Sequence, residues 1–497
     1  MIAFTFSSEI KPEARWGYVL LGLVAGTTLG ILFLLTQWSW LAPLPLAVVF
    51  WSIDQARDSK SAFWTGFGAG IGFFAVLLAW LPQSFANLFG WVGAVPMPFL
   101  VLALAGFWGA TAAVTRLLAQ RYTLLALAGS FVLLEWLRSL GPLAFVWGTL
   151  GYALGPTPVV QVAELGGVHL LSLLVTLSAS GLTLLLKRRP FTLMVASSLL
   201  GLSAIYGLTR PIPAAPNLEV LLVQGSVSPL QKARGRSQSE LELYERLTLE
   251  ALRRGAKPDL IVFPEGALPN PPDVSDTKAV LEKIARPMIF GAAPYIGGQR
   301  FNSAFAWDGT LVSGRFDKIK LVPFGEFFPF QNELQFVYQP IFRGMGLEGL
   351  RGTAPGTQSK PLELGKIKAG TYICYESTFP GISRRMVLNG ANLLVNISND
   401  AWFGTTVGAE QHFQMGRVRA IETGRWIARA GNDGITAVID PLGNVSQRFA
   451  RLEVRAFSTR VGLSDVITPF VRFGDWVIAA VMLGLLVIVY KSNFTLE

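Results

Sequence analysis

Long apolar runs fill the chain as far as Leu208 and return once near its C-terminal end; between them, short apolar runs alternate with charged and turn-forming residues. Trp16 to Trp38 is far longer than a signal-peptide core and has no small-residue cleavage site in the right place, so it reads as a retained spanning helix. Further runs lie at about 40–53, 62–82, 92–115, 122–137, 158–186 and 191–209, and a last one runs from Val471 to Tyr490. Together they predict about eight helices, each long enough, or nearly so, for a hydrocarbon core of roughly 30 Å. The run at 40–53 is short and carries Pro43 and Pro45, which also fit a re-entrant piece.

The charges between the runs give the expected orientation. With the N-terminus inside, Arg57, Lys60, Arg116, Arg121, Lys187, Arg188, Arg189 and Lys491 all fall on the cytoplasmic side. The opposite loops, at about 38–41, 83–91 and 138–157, carry only Arg138. That asymmetry follows the positive-inside rule and needs eight crossings. The polar insert then faces the periplasm of a bacterial inner membrane. Glu135 and Arg138, at i and i+3, share a helix face and could pair; Glu164 and His169 lie early in the sixth run. They read as structural polar contacts, because no relay of charges runs through several spans.

Residues 210–466 change style. LEVLLVQ (Leu218 to Gln224), DLIVF (Asp259 to Phe263), MIFG (Met288 to Gly291), Phe301 to Trp307, Ala369 to Cys374 and Ala391 to Ile397 read as buried strands. Helical stretches at Glu240 to Arg254 and about 410–424 interrupt them, and paired strands are expected around Ile427 to Val438. Strands with continuous apolar cores alternating with helices predict a layered α/β domain covered on both faces. The expected division is a seven-helix membrane domain at 1–209, the α/β domain at 210–466 and a closing membrane helix at 467–497.

Composition sharpens this picture. Hydrophobic residues make up 51% of the 497 and charged residues only 15%, with a mean hydropathy of +0.45. The net charge of +10 lacks a basic run with interleaved aromatics, which excludes nucleic acid as the expected partner and leaves loop anchors and anionic lipid. Cys374 is the one cysteine, so no intramolecular disulfide forms and the thiol is free for chemistry.

Three strand ends carry ionisable groups: Phe263-Pro264-Glu265-Gly266, the stretch Asp317 to Glu326 with Lys318, and Cys374-Tyr375-Glu376. Taken singly, Glu265 and Lys318 would be solvated surface charges and Cys374 a small buried hydrophobe. Taken together they supply a base, a cation for an oxyanion and a thiol, the parts of nucleophilic acyl chemistry. His169 lies in a membrane run and His412 in a later helix, which argues against a Cys-His pair.

In that order, strand-Pro-Glu, Lys with Leu-Val-Pro-Phe-Gly-Glu, and Cys-Tyr-Glu resemble the Glu-Lys-Cys triad of the nitrilase (carbon-nitrogen hydrolase) superfamily. The eight-span frame narrows the resemblance to the apolipoprotein N-acyltransferase family. Val223-Gln224-Gly225, Phe301-Asn302-Ser303, Asn396 to Gly404, Gln411 to Arg419 and Ala428 to Asp433 continue it over nearly the whole chain. The resemblance implies a four-layer α-β-β-α sandwich, with Glu265 as general base, Lys318 as oxyanion-stabilising cation and Cys374 as acylated nucleophile. It implies Glu326 as the carboxylate orienting Lys318, Tyr375 and Glu376 as supports beside the nucleophile, and Asn302 and Trp402 as site-lining residues. It implies no metal and no organic cofactor. The implied reaction is a two-step (ping-pong) transfer from a phospholipid of the inner membrane, through a Cys374 thioester, to the N-terminal amine of a diacylated apolipoprotein. A monomer is expected. One departure is Ala233 after Lys232, where the family commonly has Trp; it puts a gating role for that loop in doubt.

After Glu326 comes a dense apolar stretch: Phe327, Phe328, Phe330, Leu334, Phe336, Val337, Ile341, Phe342, Met345, Leu347 and Leu350. It reads either as a buried loop or as an arm that dips into the bilayer surface, with Arg343 and Arg351 near headgroups. The rival functions are a membrane-tethered nitrilase-like amidase or hydrolase, which passes the acyl group to water, and a transporter or scaffold with a degenerate domain.

Overall fold

The computed structural model describes residues 14–227, 237–344 and 352–494. Its first part is helical: α1 (Ala14–Leu34), α2 (Pro43–Asp54), α3 (Ser59–Leu77), α4 (Leu81–Phe89), α5 (Met97–Leu118), α6 (Thr123–Arg138), α7 (Ala163–Leu186) and α8 (Phe191–Leu208). Each predicted run before the insert coincides with a helix, and α4 is additional. The run expected over 62–82 ends at Leu77, because the chain turns there and restarts with Pro82 in the first turn of α4.

Among the described residues, five helical segments are long and apolar enough to cross a membrane: Trp16–Leu34, Met97–Leu118, Pro158–Leu186, Phe191–Leu208 and Trp476–Phe494. The other predicted spans fall short for separate reasons. The 12 residues of α2 reach only about 18 Å, and the 16 of α6 about 24 Å. α3 has the length but is diluted by Gly66, Gly68, Gly70 and Gly72. Those glycines are packing devices. Gly22, Gly26 and Gly30 of α1 meet Thr65, Ala69, Phe73 and Val76 of α3, and a Cβ on Gly26 would lie 2.0 Å from the Ala69 carbonyl oxygen. Without a hydrophobic drive inside lipid, such close backbone approach is what holds helices together.

The second part is a sandwich of two six-stranded sheets. One contains β1 (Leu218–Gln224), β2 (Leu260–Val262), β3 (Met288–Ala292), β6 (Ser303–Trp307), β7 (Val312–Asp317) and β14 (Arg455–Val461), in the order β14-β1-β2-β3-β6-β7. The hairpin β4 (Tyr295–Ile296) and β5 (Gln299–Arg300) stands apart. The other contains β8 (Leu362–Leu364), β9 (Ile367–Ile373), β10 (Leu393–Ser398), β11 (Ile427–Gly431), β12 (Ala437–Ile439) and β13 (Val445–Arg448), in the order β13-β12-β11-β10-β9-β8. Each sheet has three parallel strands at its centre, β1-β2-β3 and β9-β10-β11, flanked by antiparallel ones.

Alternation along the strands builds the layers. Leu218, Val220, Leu222, Leu260, Val262 and Ile289 join the core shared with the second sheet. Leu221, Val223, Ile261, Phe263 and Phe290 point the other way, onto Leu241, Tyr244 and Leu247 of α9 (Ser237–Arg253) and Leu281 and Ile284 of α10 (Ser275–Ile284). After β7 comes α11 (Gln335–Gly344). The second sheet is covered by α12 (Pro380–Leu388) and α13 (Gly408–Thr423), which put Met386, Val387, Phe413, Val418 and Ile421 into the core. The result is the α-β-β-α order. α14 (Pro469–Phe473) and α15 (Trp476–Phe494) return the chain to the helical bundle.

α13 is also where the two parts meet. Val168 N–H, just past the kink of α7 at Gly166 and Gly167, donates to Glu422 at 2.9 Å, and α7 also packs along α13. Gln411 accepts from the indoles of Trp80 and Trp147 at 2.9 and 3.1 Å. Glu135 accepts from Leu150 N–H at 2.7 Å and Arg138 donates to the Trp147 carbonyl at 3.2 Å, so both tie down the loop that leads here. Glu164 is paired with Arg210, and His169 lies 3.5 Å from Asp475. At the far end of α7, Lys187 pairs with Asp54 of α2.

Candidate active site

The site forms where the ends of both sheets converge. Glu265 follows β2, Asn302 precedes β6 and Lys318 follows β7 on the first sheet; Cys374 follows β9 and Asn399 follows β10 on the second. Gly291 of β3 lets the Glu265 turn lie against the sheet, since a Cβ there would be 2.5 Å from Gly266 N. The two charges that, taken singly, would lie on the surface are buried, as a shared site requires: Glu265 is 8% exposed and Lys318 1%. Each has found partners that a surface charge would not need.

Lys318 Nζ lies 2.9 Å from Glu326 Oε1 and 3.4 Å from Glu265 Oε1. Asn302 Nδ2 donates to both carboxylates, at 2.7 Å to Glu265 and 2.9 Å to Glu326. Asn399 N–H donates to Glu265 Oε2 at 2.9 Å and Val322 N–H to Glu326 Oε2 at 2.8 Å. Burial works against the charge on Lys318, but Glu326 and Glu265 outweigh it and hold the ammonium above its ordinary range.

Cys374 begins a short 3-10 turn, Cys374–Thr378, with φ +50°. A side-chain-bearing residue in the left-handed region costs about 1–3 kcal/mol and persists only where its surroundings enforce it. Burial pushes the Cys374 thiol up, the Glu265 carboxylate pushes the same way, and Lys318 only partly offsets them. The resting group is therefore a thiol that needs a base at the moment of attack.

Glu376 clamps the turn to the Lys318 segment. Its Oε1 accepts from Ile319 and Lys320 N–H at 2.7 and 3.0 Å, and its Oε2 from Ile373 N–H at 2.8 Å. Burial raises its carboxyl to about 7 against those three donors. Tyr375 points toward the helical part: its hydroxyl donates to the Ala144 carbonyl at 2.7 Å, and its ring stacks on Trp147 at 5.9 Å. Trp402 lies half-buried in the turn Asp400–Phe403 after β10.

His412, expected to be remote because it lies in a later helix, is brought against the thiol turn. Its Nε2 lies 3.0 Å from the Cys374 carbonyl and 2.9 Å from Ser377 Oγ, and its Nδ1 3.0 Å from Asp400 Oδ1. Sequence signals for it were present, since it sits in the stretch Gln411 to Arg419 and is one of two histidines. Cys374, Asp400 and His412 bring ligand-type atoms within 4.8 Å of one another. However, Asp400 Oδ2 is held by Arg429 at 2.7 Å and Oδ1 by Ser398 at 2.7 Å as well as by His412. Burial opposes ionisation of Asp400, but Arg429 and His412 prevail and hold its carboxyl well below the usual range. The cluster is thus a hydrogen-bonded support with a fixed guanidinium, a poor place for a metal cation.

A cavity of about 400 Å³ lies between Pro142 of the α6–α7 loop and Phe327, Pro329, Phe330 and Glu333. Within the apolar stretch, Phe330 and Phe336 are exposed, which a buried loop does not expect at these two positions. Met345, Leu347, Leu350 and Arg351 lie outside the described residues, as do Lys232 and Ala233.

Fold and residues together define a class. Residues 226–454 match the family model described as carbon-nitrogen hydrolase, and residues 25–181 the one described as the apolipoprotein N-acyltransferase N-terminal domain. Proteins named apolipoprotein N-acyltransferase resemble the chain throughout. That of Azotobacter vinelandii is 33% identical, covering 95% of this chain and 94% of its own. That of Gloeobacter violaceus is 34% identical over 94% and 93%, and that of Pseudomonas putida 32% over 94% and 96%. The chain belongs to the apolipoprotein N-acyltransferase family, and it is a bacterial membrane protein. Among solved structures, a carbon-nitrogen hydrolase from Helicobacter pylori G27 is 17% identical with a TM-score of 0.38, covering 49% of this chain and 88% of its own. An amidase from Nesterenkonia sp. is also 17% identical with a TM-score of 0.38, covering 55% and 98%.

Proposed function

We propose that the chain transfers an acyl group from a membrane phospholipid to the N-terminal amine of a diacylglyceryl-cysteine lipoprotein, at the periplasmic face of a bacterial inner membrane. In the first step Glu265 takes the Cys374 proton while Sγ attacks the ester carbonyl carbon. Lys318, oriented by Glu326 and Asn302, stabilises the oxyanion. The ester C–O bond breaks, the proton on Glu265 passes to the departing oxygen, and a lysophospholipid leaves behind a thioester. In the second step the lipoprotein amine attacks the thioester carbonyl and gives its proton to Glu265. The C–S bond breaks, the thiol regains that proton, and an amide is formed. Tyr375 and Glu376 hold the nucleophile turn, and Trp402 lines the site.

The observation that carries this reading is the convergence of Glu265, Lys318 and Cys374 in one buried site walled by the α6–α7 loop of the membrane part. The orientation is supported by the bundle itself. Lys187 lies at the end of α7 opposite Val168, which docks on α13, 19 residues and about 28 Å along the helix. The domain division at 209/210 and 466/467 belongs to the same proposal.

Intact-mass measurement of the purified protein with labelled phospholipid tests it. A fatty-acyl adduct is expected, absent in Cys374→Ser, discharged rapidly by a lipopeptide amine and slowly by water. Rapid discharge by water would identify a hydrolase, and no adduct would exclude acyl transfer.

A further inference from the structure

His412 has no part in the scheme above, yet it is completely buried and every polar atom of its ring is engaged. Its ring lies between aromatic partners from the two halves of the molecule, Trp147 of the α6–α7 loop at 6.3 Å and Phe403 of the turn after β10 at 5.6 Å. Nδ1 faces Asp400, whose other oxygen is held by Arg429, and Arg429 is itself fixed by the Ile435 carbonyl at 3.0 Å. Nε2 faces the carbonyl of Cys374. The ionised Asp400 can only accept, so Nδ1 carries the hydrogen between them, and Nε2 meets the nucleophile turn at two points, Ser377 Oγ at 2.9 Å and the Cys374 carbonyl at 3.0 Å. Neither nitrogen is free to take a proton from the thiol.

We propose that His412 is a positioning residue: its Nε2, set against Ser377 Oγ and the Cys374 carbonyl, holds the nucleophile turn in its left-handed backbone conformation, with Asp400 and Arg429 fixing the ring. The need follows from the turn itself. Cys374 adopts φ +50°, a conformation an L-residue leaves unless something holds it. Glu376 secures the turn from the Lys318 side, and His412 secures it from the α13 side. Through Trp147, the same imidazole links the set of the nucleophile to the loop of the membrane part. The inference rests on the acyl-transfer reading for its rate measurement and on the single thiol for an independent one.

Two substitutions separate the polar contact from the ring. In His412→Gln the amide can still meet Ser377 Oγ and the Cys374 carbonyl, but the imidazole is gone; in His412→Phe the ring packing stays, but the polar contact is gone. The acylation rate constant of Cys374 at saturating phospholipid, read by intact mass, is expected to fall roughly 10–100-fold in His412→Phe, as for a nucleophile displaced by about 1 Å. His412→Gln should recover most of that loss, and the phospholipid concentration at half-saturation should move little in either. Alkylation of Cys374 by iodoacetamide, the one cysteine in the chain, should slow in His412→Phe and recover in His412→Gln, because a displaced thiol loses the cation of Lys318. This readout requires no acyl transfer. A wild-type protein that alkylates in this pattern but forms no adduct would therefore overturn the function and keep the positioning role. Wild-type rates in His412→Phe, or equal losses in both variants, would overturn the positioning role. Should His412→Phe not fold, His412→Asn, whose amide reaches Asp400 but not Cys374, takes its place with the same expectation.

Discussion

Glu376 must be a carboxylate where burial favours the acid. Three backbone N–H groups point at it, and only the ionised form accepts from all of them without presenting a hydrogen of its own. Burial nonetheless lifts the group to about 7, so the clamp between the Cys374 turn and the Lys318 segment engages fully only above neutrality. Acylation is expected to rise with pH through about 7, and Glu376→Gln to be slow at every pH with that rising limb removed. A wild-type limb that persists in Glu376→Gln would assign the titration elsewhere. Stability runs the other way. Between the ordinary carboxylate value of 4.5 and about 7, the folded chain keeps a proton that the unfolded chain has released. This group's contribution is therefore fully present below the lower value and lost as pH rises through the higher one. Thermal unfolding of wild type relative to Glu376→Gln should show that decline, opposite in sign to the gain in rate.

Among the elements, the strand ends were legible and the strand edges were not. β1, β2, β3, β9 and β10 are apolar on both faces, so they stand out as continuous runs whose polar ends mark Glu265 and Cys374. β7, β13 and β14 leave much of their length exposed and carry polar side chains there, so nothing in their sequences separates them from loops. His412 lies on a helix whose polar and apolar residues are both buried, because α13 faces the sheet on one side and the membrane part on the other. No helical periodicity could say which side it met. The helical bundle shows the same limit, since apolar runs announce helices but not their contacts. Those contacts are visible in the glycines. Gly26→Leu should lower the stability of the detergent-solubilised protein by about 1–3 kcal/mol, the cost of overpacking a tight contact. Gly17→Leu, on the same helix and with nothing within 4 Å, should leave thermal unfolding unchanged. Equal effects would show that residue type alone, and not the α1–α3 contact, sets the cost.

At the scale of the whole molecule, the proposed transfer requires a buried thiol and a bilayer substrate to be brought together, and the surface beside the site has features suited to it. Phe330 and Phe336 are 55% and 75% exposed; Phe330 precedes the short helix α11 and Phe336 lies in its first turn, on the segment that follows Glu326, the residue holding Lys318. The cavity of about 400 Å³ opens between this segment and Pro142, in the loop that also receives the Tyr375 hydroxyl at Ala144. In water such aromatics would be costly ornaments; at the level of lipid headgroups they are anchors, each favoured by burial of its apolar surface. Phe330→Ser combined with Phe336→Ser should therefore slow acylation by phospholipid in liposomes about tenfold, in line with roughly 1.5 kcal/mol of lost burial. Acylation by a short, soluble thioester should change little, since that substrate reaches Cys374 without entering through the bilayer. The comparison isolates entry from chemistry, because both donors meet the same Glu265, Lys318 and Cys374. Equal losses with the two donors would place the aromatics in the support of the site, and would return the task of lipid capture to the helices of the membrane part.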